Sequence, residues 1–86
     1  IYFMNKNKIK LKEGMDVDLL LDQIRERYAK ERISTIDGVK IDFDAAWVHL
    51  RKSNTEPIIR IYTEAKSELK AVELANRFVK EINSLL

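Results

Sequence analysis

The chain contains no cysteine. Disulfide staples, thiolate metal sites and a cysteine nucleophile are all excluded at once, and the composition fits a cytoplasmic protein. Nor is there an apolar run long enough to span a bilayer, or a basic start with a cleavage site that would mark a signal peptide. No charge of one sign prevails. The formal net charge is +2 and the two signs are interspersed, so the clustered basic footprint of a nucleic-acid binder is missing. With one proline, two glycines and no repeat, nothing in the chain reads as low complexity. What remains is 86 residues of ordinary globular composition, enough for one core and one domain. A chain that begins Ile1-Tyr2-Phe3-Met4 reads as a piece of a longer protein. Residues 1–7 are expected to be a linker or boundary remnant and residues 8–86 the domain.

Periodicity supplies the elements. Lys8-Ile9-Lys10-Leu11-Lys12 alternates and predicts a short strand, its lysines suited to a sheet edge. Gly14 ends it and Asp16 is placed to cap a helix. Val17, Leu20, Leu21, Ile24 and Tyr28 then recur at helical spacing, which predicts a helix over residues 17–30. Asp37-Gly38 signals a turn between Ile33/Ile36 and the period-two run Val39, Ile41, Phe43. Residues 47–51 and 58–64 read as two further strands. Ser67 caps a last helix with Ala71, Val72, Ala75, Phe78, Val79, Ile82 and Leu86 on one stripe. Strands segregated from helices predict an α+β domain, a four-stranded antiparallel sheet with two helices packed on one face.

Alternation then sorts the last two strands. With Val48, Leu50, Ile59 and Ile61 facing the helices, Trp47, His49, Arg51, Arg60 and Tyr62 face outwards, and Ile58 with them. A register setting Leu50 opposite Ile59 would place His49 opposite Arg60 and Trp47 opposite Tyr62. Between the strands, Lys52 to Pro57 is longer than a minimal hairpin needs. Ser53, Asn54 and Thr55 offer backbone N–H groups and side-chain donors. Asn54 tolerates the left-handed conformation that converging amides use to form an anion nest. Arg51 offers a planar fork that suits phosphate. The same residues also make an ordinary turn. His49 reads as a surface histidine, and Asp37, Asp42 and Asp44 lack the spacing of a calcium loop. No carboxylate pair, Ser–His–Asp set or metal-ligand spacing occurs, so no catalytic residue and no metal ligand is assigned; the chemistry read here is binding rather than bond-breaking.

In the stretch WVHLRKSNTEPIIRIYTEA, the pattern Arg-x-Ser-Asn-Thr-Glu-Pro-x-x-Arg resembles the phosphate-binding loop of the α-D-phosphohexomutases, the phosphoglucomutase, phosphomannomutase and phosphoglucosamine mutase enzymes. The preceding DGVKIDF is similar to the strand before that loop, and the order of elements resembles the family's C-terminal, fourth domain from Lys8 onwards. The resemblance implies a TATA-binding-protein-like fold. It implies Arg51, Ser53, Asn54, Thr55 and Arg60 as ligands or supports of a substrate phosphate, with Glu56 and Pro57 shaping the loop. It implies a cytoplasmic parent isomerase of carbohydrate metabolism that interconverts hexose 1- and 6-phosphates through a bisphosphate. That parent would use magnesium bound in another domain. The present piece would need no cofactor, would be inactive alone, and would meet the hexose phosphate and the parent's other domains but no nucleic acid or membrane. Asn54 leans towards the phosphomannomutase and phosphoglucomutase types. The competing reading is a stand-alone protein-interaction module using the helix-free sheet face.

Overall fold

The computed structural model describes residues 1–86. Five strands and two helices follow in the order β1 (Phe3–Lys10), α1 (Val17–Arg27), β2 (Arg32–Ser34), β3 (Val39–Asp42), β4 (Trp47–Lys52), β5 (Ile58–Ala65) and α2 (Glu68–Leu85). The strands form one antiparallel sheet in the order β1-β5-β4-β3-β2. The lysine-bearing β1 is an edge, as its composition suits. Both helices start on caps visible in the sequence. Asp16 accepts from the Leu19 amide at 3.0 Å and Ser67 from the Lys70 amide at 3.1 Å, each satisfying a helix-end donor that would otherwise lack a partner.

Leu20, Leu21 and Ile24 from α1 and Ala75, Phe78 and Ile82 from α2 share one buried cluster with Ile9, Val39, Ile41, Val48, Leu50, Ile59 and Ile61. These sheet residues have a single parity, so both helices cover the same face and the other face stays open. Thr63 is the one polar residue fully buried there, and it is satisfied by donating to the Ala71 carbonyl at 2.7 Å.

Four features depart from the expected pattern. The sheet has five strands, not four, because Arg32–Ser34 pairs with β3 and sets Ile33 opposite Ile41. At three residues it is too short for its alternation to stand out, yet it covers what would be the open edge of β3. β1 starts at Phe3 rather than Lys8, since residues read as linker pair with the long β5, Phe3 opposite Ala65. The β4–β5 register differs by two. Leu50 faces Ile61, His49 faces Tyr62, Arg51 faces Arg60 and Trp47 faces Glu64. The ladder runs on to Lys52–Ile59, so Lys52, expected in the loop, is a strand residue and the loop is shorter. A slip of two leaves every side chain on its own face, which is why the core assignments survive it. Ile58, expected outside, is buried at the base of the loop, where its carbonyl accepts from the Ser53 amide at 3.2 Å.

At the far end of the core, Tyr28 ties the helices together. Its hydroxyl donates to the Glu81 carboxylate and accepts from Arg77 Nη2 at 2.8 Å, while its ring packs with Phe43 and Phe78. Burial first, and then the Glu81 hydrogen bond, push this phenol above its usual value of 10.0. The unfolded chain therefore loses the proton first as pH rises, and N binds more protons than U in that window. The Tyr28 contribution to stability should be level below pH 10 and fall as pH climbs through the raised value. Urea unfolding of wild type and Tyr28→Phe between pH 9 and 11.5 checks this: the wild type should show the steeper decline. Parallel curves would remove Tyr28 as its source.

Candidate anion site at the β4–β5 turn

The turn is organised by one hydroxyl. Ser53 Oγ accepts from the amides of Thr55 and Glu56, each at 3.2 Å, and lies 3.3 Å from Thr55 Oγ1. This is a serine side chain standing in for a backbone acceptor, the local bonding that favours serine in turns. The expected left-handed nest is not how the loop is built. No non-glycine residue of the chain has positive φ, Asn54 included. The amides still converge, but on the Ser53 hydroxyl oxygen instead of in a left-handed concavity. Glu56 and Pro57 shape the exit: the Glu56 carbonyl accepts from Ile58 at 2.8 Å, and the Pro57 carbonyl from Leu11 at 2.7 Å, which ties the loop to the chain leaving β1.

Arg51 and Arg60 are directly opposed on the open face, and Arg60 in turn is opposed by Lys8 on β1. Like charges facing each other across a ladder destabilise it. Arg51 is balanced by Asp37, whose Oδ2 lies 2.8 Å from its Nη2. Lys52 is held by Asp18, in the first turn of α1, at 3.0 Å. Arg60 and Lys8 form no ion pair. The sheet thus brings Arg51, Arg60 and the Ser53–Thr55 donors to one end of β4 and β5, with a positive row running on to β1. The cations give that end of the sheet a local positive potential.

The roles of Asp37, Asp18, Lys52 and Lys8 at this end of the sheet are not legible in the sequence. The Asp37-Gly38 pair announces a turn but says nothing of which strand the turn will meet; Asp18 and Lys52 are far apart in the chain. Towards β3 the open face makes contacts of its own. Trp47 Nε1 donates to Glu64 at 3.2 Å, and Lys40 Nζ lies 5.0 Å from the centre of the Trp47 ring. His49 Nε2 donates to the Asp37 carbonyl. A cavity of about 590 Å³ lies at the opposite end of β4, lined by Phe43, Ala45, Ala65, Leu74 and Arg77 among others. The candidate anion site is accordingly a surface cradle rather than a cleft. No three His, Asp or Glu side chains gather to hold a metal ion.

Residues 7–81 match the model of the phosphoglucomutase/phosphomannomutase C-terminal domain. The chain belongs to that family. It is 41% identical over 87 aligned positions to a phosphoglucosamine/phosphogalactosamine mutase of Sulfurisphaera tokodaii, covering 99% of this chain and 18% of the relative. It is 49% identical to a probable phosphoglucosamine mutase of Methanopyrus kandleri over 69% of this chain and 13% of the relative. To a phosphoglucomutase/phosphomannomutase of Thermococcus kodakarensis it is 53% identical over 64% of this chain and 12% of the relative. The chain therefore spans less than a fifth of the length of these relatives. Its α+β architecture is consistent with a phosphohexomutase C-terminal domain, and the Arg51–Arg60 turn lies within the matched residues, between two central strands. No helix is long and apolar enough to cross a membrane.

Proposed function

We propose that this domain grips the phosphate of a hexose phosphate that is not being transferred, on behalf of a mutase several times longer. The observation that carries the reading is the convergence of the Thr55 and Glu56 amides on Ser53 Oγ beside the opposed Arg51 and Arg60. A phosphate oxygen is a stronger acceptor than a neutral hydroxyl and takes shorter, charge-assisted bonds. It would exchange with the hydroxyl for those amides, and Ser53, Asn54 and Thr55 would donate to it. Arg51 would meet it with two parallel bonds, and Arg60 would add positive field. Glu56 has the wrong sign to touch the phosphate and, with Pro57, serves the shape of the loop.

The parent would interconvert sugar 1- and 6-phosphates through a bisphosphate, with its phosphoryl donor, magnesium and sugar-reading groups in other domains. This chain gathers no such chemistry and is expected to be inactive alone. The names of its relatives span amino-sugar and neutral-sugar mutases, and on this proposal the loop would contact the phosphate rather than a sugar C2 substituent. The open face supports the interaction-module reading less well, because Trp47, Lys40 and Glu64 already engage one another.

The test is an amide chemical-shift titration of the 86-residue chain with inorganic phosphate, a hexose 1-phosphate and chloride. One loop with two cations should give a dissociation constant of about 1 mM, roughly −4 kcal/mol, for both phosphates. The shifts should centre on residues 53–56, and chloride should leave them in place. Phosphate-induced shifts confined to another surface would defeat the proposal.

A further inference from the structure

Arg51 is aimed by a turn that the phosphate reading does not itself involve. Asp37 Oδ2 meets Arg51 Nη2 at 2.8 Å. The backbone carbonyl of the same residue accepts from His49 Nε2, and His49 lies on β4 two places before Arg51, on the same face. Gly38 then presses on β4 itself: with φ at +72°, it lies where a Cβ would overlap the Leu50 carbonyl oxygen and stand 3.2 Å from Arg51 Cα. Two consecutive residues thus hold one turn onto β4 through a side chain, a carbonyl and a backbone contact.

We infer that Asp37 is the positioning residue of the anion site, a carboxylate fixed by its turn so that it holds the Arg51 guanidinium ready for phosphate; its effect on binding rests on the function proposed above. An isolated exposed ion pair does little, because two long side chains must be ordered to make it. Here the carboxylate is short and its backbone is pinned, so only the arginine is ordered. The ion pair is made through Nη2, and a guanidinium has five N–H donors, which leaves a fork for an incoming anion. The Asp37 charge also opposes a phosphate. That repulsion is weakened by the high dielectric of an exposed setting, whereas part of the side-chain ordering that binding requires is already in place. Orientation therefore outweighs repulsion.

Three forms of the 86-residue chain decide it: wild type, Asp37→Ala and Asp37→Glu. The first measurement needs no anion. The Arg51 Nε–Hε group should be ordered on the nanosecond scale in the wild type, mobile in Asp37→Ala and partly ordered again in Asp37→Glu. The second is inorganic phosphate affinity at constant ionic strength, which should weaken by about threefold to tenfold in Asp37→Ala and recover in part in Asp37→Glu. The unfolding midpoint of Asp37→Ala serves as the control for a merely structural role and should stay near that of the wild type. Equal Arg51 order in wild type and Asp37→Ala overturns the inference, and so does equal or tighter phosphate binding by Asp37→Ala, which would make the carboxylate a competitor. If the wild type binds no phosphate, the proposed function falls by itself, and the Arg51 order measurement still decides whether Asp37 positions it.

Discussion

Replacing Gly38 with alanine should destabilise the domain by about 3 kcal/mol, while the same change at Gly14 should cost only about 1 kcal/mol. Both glycines have positive φ, +83° at Gly14 and +72° at Gly38, so both variants force an L side chain into the left-handed region. That strain alone is worth roughly 1–2 kcal/mol. The surroundings separate them. Nothing lies within 4 Å of a Cβ built at Gly14, whereas at Gly38 it overlaps the Leu50 carbonyl oxygen, a backbone atom held in the β3–β4 ladder that cannot rotate away. Relieving the overlap means moving the turn off β4, at a cost of the size seen when well-packed interiors are overfilled, roughly 1–3 kcal/mol. Urea unfolding of the two variants, compared at equal m-value, reads the difference directly. Equal losses would mean that the close approach at Gly38 carries no energy.

The two amphipathic stripes and the caps at Asp16 and Ser67 are written locally, in spacing and in one side chain each, so the helices and the face they bury are legible from the residues alone. The β4–β5 pairing is different in kind. Alternation fixes which face Leu50 and Ile61 take, but a register shifted by two has the same faces, and only the length of the loop chooses between them. β2 and the first half of β1 are illegible for a related reason. Residues Arg32–Ser34 are too few to show a period, and Phe3–Asn7 carry apolar groups only at their first two places, so pairing with a neighbour makes them strands.

The site divides along the same line. Its motif lies within ten consecutive residues, Arg51 to Arg60, and is legible as a motif. The way the loop is held is not. Asn54 suggests a left-handed nest, and the structure instead uses Ser53 Oγ, because a hydroxyl two places before an amide satisfies it without positive φ. Nor does any local pattern bring Asp37 to Arg51 or Asp18 to Lys52. Those pairs exist because β3 lies beside β4 and because α1 begins next to the β4–β5 turn, both consequences of the whole topology. The motif names the residues proposed to touch the anion, and the fold supplies those that hold them in place.

In a full-length mutase carrying this domain, Arg51→Lys should lower kcat/KM by about tenfold to hundredfold. Lysine keeps the charge and loses the planar fork, so one of two parallel bonds to phosphate goes. A hydrogen bond between charged groups is worth roughly 1.5–3 kcal/mol, and each 1.4 kcal/mol is a factor of ten. The lysine ammonium would also lose the geometry of the Asp37 contact, made now through Nη2 at 2.8 Å. On the proposed function the phosphate held here keeps its bonds while the other end of the sugar reacts. The interaction is then the same in ground and transition states, and the loss should fall more on KM than on kcat. Arg60→Lys gives the contrast. Arg60 forms no ion pair and is assigned only to the field, so a lysine there retains its role and should cost about threefold or less. Arg51 and Arg60 are both exposed on the open face, so neither change should move the unfolding midpoint appreciably. Steady-state kinetics of the two variants settle the assignment. Wild-type kcat/KM in Arg51→Lys would remove Arg51 from the phosphate site, and a loss there as small as that of Arg60→Lys would reduce its contribution to charge alone.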